Sequence, residues 1–266
     1  MKCICLLSRG DLNISAVIRF LFLLQTLSLV FSRVSAFCAL PAANDPTQLC
    51  RKAHSITVDS SVSDKYYAAC HGLGVVRFAS NVSTNLITSN CTDPWGVSFD
   101  RSSGSVYAAC FSTGIFKLDS RGVKTQLATS NMFIADAQCF GARGVYWDSV
   151  GNRVLAACMN GIISISNSTV TTLFSSILCP DPYGVIANPF TGMVYAACFS
   201  GNVLTYDSTG LINTLYTSSQ CPQPYGFVLN TASNEQYVAC YGTVVLPLVT
   251  TTPYYTGVGL RTCRAG

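Results

Sequence analysis

Five residues stand four positions after a recurring cysteine: His54, Trp95, Arg143, Tyr183 and Tyr225. Aromatic and arginine side chains are the types enriched where proteins bind partners, and flat rings also stack on sugar faces. The competing use of the same rings is packing against neighbouring segments. Two positions after each of those cysteines stand Lys52, Asp93, Gly141, Asp181 and Gln223. Asp93 and Asp181 could offer carboxylates to a metal. Calcium, however, takes about six to eight oxygens, and two aspartates are few. An Asp before Pro is also a common turn residue. Nucleophilic catalysis has little to draw on. His54 and His71 are the two imidazoles, and Glu235 is the one glutamate, in a stretch that reads as a hairpin turn. His71 takes a position filled by Phe111, Met159, Phe199 and Tyr241 in sibling segments, which reads as packing. Asp59 lies five residues after His54, so on a strand the two point to opposite faces.

These residues are positioned by a repeat. The first cysteines are Cys50, Cys91, Cys139, Cys179 and Cys221, and their partners Cys70, Cys110, Cys158, Cys198 and Cys240. Four pairs are 19 positions apart and the first is 20, while the repeat period runs from 40 to 48 residues. A period of that size means a solenoid or a propeller. Each copy reads as four short apolar runs separated by turn residues, in the fourth copy YGVIA, MVYAAC, NVLTY and INTLYT. Helical periodicity is absent. Four strands in about 42 residues make one propeller blade. The turns between first and second strands begin with Asp or Asn: DRSSG, DSVGN, NPFTG and NTASN. Gly96, Gly144, Gly184 and Gly226 recur in the first strand, with Ser55 in the first copy. Glycine weakens a strand, so its repetition predicts close backbone approach near a central axis. The Ala pairs before the second cysteines fit tight packing between sheets.

The segments DPWGV (93–97), DPYGV (181–185) and QPYGF (223–227), each followed by a turn and then V-Y-A-A or a close variant, resemble the NHL-type repeat of β-propellers. The resemblance spans roughly residues 50–263 and implies an all-β ring. Cysteine stands where that pattern usually closes its second strand with an acid. The third copy reads GARGV and the first KAHSI, both without the proline. Lactonases and strictosidine-synthase-like enzymes resemble this blade pattern too. They supply the alternative function, a metal-dependent hydrolase-like enzyme. The resemblance implies no particular cofactor, and none is expected.

Cysteine usage speaks to the compartment. Of 14 cysteines, Cys3 and Cys5 lie in an N-terminal segment that resembles a secretory leader. Lys2 and Arg9 precede the apolar run FLFLLQTLSLVF, and Val34-Ser35-Ala36 is a small-residue cleavage site. Residues 1–36 are therefore expected to be a signal peptide, with a membrane-anchored leader as the alternative. Residues 37–49 read as an irregular lead-in and 50–266 as the repeat domain. The twelve remaining cysteines predict a disulfide framework rather than zinc, since there is no C-x-x-C. The near-constant separation favours pairing within each copy. Pairing between copies, such as Cys70 with Cys91, competes. Cys38 and Cys263 are left as a staple between the ends. A closed loop of about 20 residues contributes about 3 kcal/mol in the chain-entropy model.

Asn81, Asn90 and Asn167 head N-x-S/T triplets, glycosylation acceptors in a secreted chain. Charged residues are 11% of the chain, against about 25% in ordinary domains. A net charge of +4, scattered, excludes a nucleic-acid footprint. After the leader no run is long enough to span a membrane. The expectation is an all-β propeller of five four-stranded blades, or six if Cys263 opens another copy. It is expected to act outside the cell as a binding module for a protein or glycan, through His54, Trp95, Arg143, Tyr183 and Tyr225.

Overall fold

A computed structural model describes residues 50–248, apart from 51, 60, 63, 81, 88–89, 131–137, 231–234 and 242–243. Cys38, Cys263, Asn81 and the leader lie outside the described residues.

Short strands with β-branched and aromatic residues alternate with Asp- or Asn-led turns, so the chain folds as consecutive antiparallel hairpins. The first blade is β1 (Ala53–Val58), β2 (Tyr66–Cys70), β3 (Gly74–Ala79) and β4 (Val82–Ile87). The second is β5 (Pro94–Asp100), β6 (Ser105–Cys110), β7 (Gly114–Leu118) and β8 (Lys124–Thr129). The third is β9 (Gly144–Asp148), β10 (Arg153–Cys158), β11 (Gly161–Ser166) and β12 (Thr169–Ser175). The fourth is β13 (Pro182–Ala187), β14 (Val194–Cys198), β15 (Val203–Tyr206) and β16 (Ile212–Tyr216). The fifth holds β17 (Pro224–Asn230), β18 (Glu235–Cys240) and β19 (Val244–Pro247) among the described residues. Each sheet runs in sequence order. The first strands β1, β5, β9, β13 and β17 pack on one another in series, so they are the inner strands. The protein is a five-bladed β-propeller. Among the described residues no helix is long and apolar enough to cross a membrane.

The turn acids work as the sequence predicts. Asp100, Asp148 and Asn188 each accept backbone N–H bonds from residues two or three further on, closing the β5–β6, β9–β10 and β13–β14 hairpins. Asp119 and Asp207 accept backbone N–H bonds from residues two and four further on, between third and fourth strands. Glu235 is corrected: it begins β18 rather than lying in the turn.

Hydrophobic clusters fill the spaces between successive blades. Their centre is the alanine pairs of the second strands, which are fully buried. The inner glycines answer to the same crowding. A Cβ on Gly96 would meet the Arg143 carbonyl oxygen at 2.6 Å, and one on Gly144 the Tyr183 carbonyl oxygen at 2.7 Å. A Cβ on Gly184 would meet the Gly226 Cα at 3.0 Å, whereas one on Gly226 would meet nothing within 4 Å. The first and last inner strands each keep an exposed side chain: Val58 on β1 is 62% exposed and Val228 on β17 57%.

Five disulfides staple the ladder: Cys50–Cys70, Cys91–Cys110, Cys139–Cys158, Cys179–Cys198 and Cys221–Cys240, with Cα–Cα distances from 4.9 to 5.2 Å. Each ties the loop that enters an inner strand to the end of the neighbouring strand. All ten sulfur-bearing residues are buried.

Candidate functional site

The entry to each inner strand is held from both sides. Pro94, Pro182 and Pro224 pair with Cys110, Cys198 and Cys240, the strand-end cysteines. Two residues later Gly96, Gly184 and Gly226 pair with Ala109, Ala197 and Ala239, so one residue is left over. That residue is Trp95, Tyr183 or Tyr225. His54 is the same extra residue in the first blade, between Ala53 and Ser55. A β-bulge leaves its extra residue outside the ladder and re-aims its side chain. Proline suits the position because it has no N–H to give the ladder. In the third blade the β9–β10 register runs without a shift from Gly144 opposite Ala157, and the Arg143 N–H donates to the Ala157 carbonyl at 2.8 Å, directly before β9.

These five side chains form one continuous cluster. The His54 ring stacks on Trp95 with centroids 4.7 Å apart. Trp95 meets Tyr183 edge-on at 6.0 Å, reaching past the third blade, and Tyr183 meets Tyr225 at 4.7 Å. The Arg143 guanidinium carbon lies 3.9 Å from the Tyr183 ring centre and 5.8 Å from that of Trp95, both within cation–π range. Phe111 and Phe199, each the residue after a second cysteine, back the cluster against Trp95 and Tyr183. Trp95 and Tyr183 are half-buried, Tyr225 is 45% exposed, and Arg143 is buried at 8%. Two buried donors of the cluster, Trp95 Nε1 and Arg143 Nε, have no hydrogen-bond partner. Burial also pushes the Tyr225 hydroxyl above its ordinary value of 10.0; Tyr183 adds to the rise and Arg143 opposes it. Beside Phe199 lies an open depression of about 310 Å³ lined by Phe199, Ser200, Gly201, Ser218, Pro222 and Gln223.

The two acids at this mouth do not share a site. Asp181 accepts a 2.5 Å bond from Arg143 Nη1. Asp93 Oδ1 lies 2.6 Å from His71 Nδ1. His71 therefore corrects the sequence reading. Its side chain is 48% exposed and bound to an acid, not packed as core, and its ring sits 5.9 Å from His54. Nothing in the sequence marked the pair, because Asp93 and His71 belong to different blades. Partial burial lowers the His54 imidazole below its ordinary 6.5, with Asp93 opposing and His71 and Lys52 adding to the fall. As the odd spacing required, Asp59 is buried away from His54 and pairs with Lys65 at 3.0 Å. Asn90 and Asn167 are exposed, each in a turn.

No protein-family model matches the sequence, and no curated protein does. Solved structures match the fold. The chain is similar to a structure of a nidogen/laminin complex, at 15% identity and a TM-score of 0.55, covering 67% of this chain and 70% of that one. It is similar to streptogramin B lyase at 12% identity and a TM-score of 0.56, covering 71% of this chain and 66% of the lyase. An auxiliary nutrient binding protein from Bacteroides ovatus gives 14% identity and a TM-score of 0.57, covering 79% of this chain and 58% of that one. The chain thus spans less than two thirds of the lyase and of the nutrient binding protein. At these identities the likeness is one of fold, a β-propeller.

Proposed function

We propose that this chain is an extracellular binding module whose aromatic mouth takes a protein or glycan partner. The observation that carries the proposal is the continuous cluster His54, Trp95, Arg143, Tyr183 and Tyr225 at one end of the inner strands, four of them presented by bulges and Arg143 by its backbone bond to Ala157. A half-exposed aromatic surface with a fixed arginine is the composition of a binding hot spot. Five disulfides favour an oxidising compartment, as do the leader-like residues 1–36 and the triplets at Asn81, Asn90 and Asn167. The NHL-type repeat remains the family that the P-x-G-V segments resemble. Neighbours in fold include a nidogen/laminin complex and a nutrient binding protein, which fits the reading. The enzyme alternative needs acids converging on one channel metal. Asp93 and Asp181 instead have separate partners, His71 and Arg143.

The test is a folded Trp95→Ala/Tyr183→Ala double variant, screened beside the wild type against glycan arrays and panels of cell-surface ectodomains. Loss of a wild-type ligand in the variant supports the mouth as the site. Undiminished binding moves the site elsewhere on the ring.

A further inference from the structure

We propose that His54, His71 and Asp93 form a site for one divalent transition-metal ion of the zinc class, set at the junction of the first and second blades. Each residue offers one ligand atom, and the three atoms lie within 4.8 Å of one another. Two imidazoles and one carboxylate are a recurring ligand set for zinc and neighbouring first-row ions. Calcium and magnesium prefer more oxygen than a single carboxylate supplies.

The backbone beneath the three side chains is tied together. The His71 N–H donates to the Lys52 carbonyl at 2.9 Å, and the Gly72 N–H donates to the Thr92 carbonyl at 2.7 Å. The Phe111 N–H donates to the Asp93 carbonyl at 2.9 Å. Cys70 and Cys91, one and two residues from His71 and Asp93, are each locked in a disulfide. His54 is braced by its stack on Trp95. Three ligands from three chain segments are thus carried on a stapled frame, the kind of rigid support that a metal site needs. Both histidines are exposed, which leaves room for a water or a partner's atom in the fourth position of a tetrahedral ion.

The corresponding positions elsewhere exclude a metal. Between the second and third blades they are Trp95, Phe111 and Gly141, and between the third and fourth Arg143, Met159 and Asp181. Between the fourth and fifth they are Tyr183, Phe199 and Gln223. A site of this kind exists once in the described ring.

The proposal is independent of what the aromatic mouth binds. The experiment uses the full chain, secreted with its disulfides intact, without a histidine tag and stripped with a chelator. Zinc chloride is titrated by calorimetry, and cobalt(II) is added separately to read its visible d–d bands. The expected result is one zinc per chain and a tetrahedral cobalt spectrum. Binding should weaken at least about tenfold in Asp93→Asn and in His71→Gln, and at least as much in His54→Gln. Tyr225→Ala removes a ring of the mouth that packs on Tyr183 and Phe199 and on none of the three ligands, and it should still take up zinc, which separates this test from that of the binding mouth. Near-isosteric changes on exposed side chains leave the fold intact, checked by non-reducing disulfide mapping. No zinc uptake by the wild type overturns the proposal. So do unchanged affinity in all three single variants and calcium binding as tight as zinc.

Discussion

The junction between the third and fourth blades and the junction between the first and second use the same repeat positions for different ends. In the former, Gly144 presses on the Tyr183 carbonyl, and Arg143 is buried against Asp181 and the Tyr183 ring. In the latter, Ser55 replaces the glycine, and its Oγ accepts a 3.4 Å bond from the Val97 N–H. His54 replaces the arginine, and Asp93 turns to the exposed His71. One junction is closed with a permanent cation inside it. Its counterpart is more exposed and carries groups that can exchange protons or ligands. A shared backbone thus allows each blade boundary its own chemistry, because the entry to the inner strand fixes only where a side chain starts.

Exchanging the glycine and serine is the hardest test of that contrast. Gly144→Ser places a Cβ against backbone that cannot yield and is expected to destabilise the fold by about 2–3 kcal/mol. The reciprocal Ser55→Gly should cost only about 0.5–1 kcal/mol, from strand entropy and one weak bond. Urea unfolding without reductant measures both, and equal effects would erase the distinction between the junctions.

The acids give the next largest difference. Asp181→Ala strands the buried Arg143 guanidinium and is expected to cost about 2 kcal/mol. Asp93→Ala breaks an exposed pair and should cost no more than about 0.5 kcal/mol. Similar losses in the same unfolding measurement would contradict the burial difference.

Mild acid should touch only the more exposed junction. His54 has its folded pKa depressed mainly by desolvation, so the unfolded chain takes up that proton more readily. Its contribution is neutral above about 6.5 and turns destabilising as pH falls from there toward the folded value. Proton NMR should place the His54 midpoint below 6.5, and His54→Gln should flatten this part of the stability profile. A midpoint at or above 6.5 would overturn the assignment. The cation of the other junction is an arginine, which holds its charge throughout this range.

Much of the architecture was written locally. Cysteine separation, Asp- and Asn-led turns and short apolar runs each depend on residues close in sequence, so they predicted blades, hairpins and within-blade disulfides. The recurring aromatic position was legible for the same reason. Its mechanism was not: the bulge appears only when Pro94 and Gly96 are matched to Cys110 and Ala109 across the ladder. Contacts between blades were out of reach altogether. A sequence places His71 and Asp93 some 22 residues apart with nothing to join them, and the ring brings them to 2.6 Å. It gives Gly96, Gly144, Gly184 and Gly226 one motif, yet only the first three meet a neighbouring backbone closely. Local chemistry repeats along the chain because each blade solves the same folding problem. What a blade's edge meets depends on which blade comes next and where the ring leaves a flank exposed, and only the assembled tertiary structure decides that.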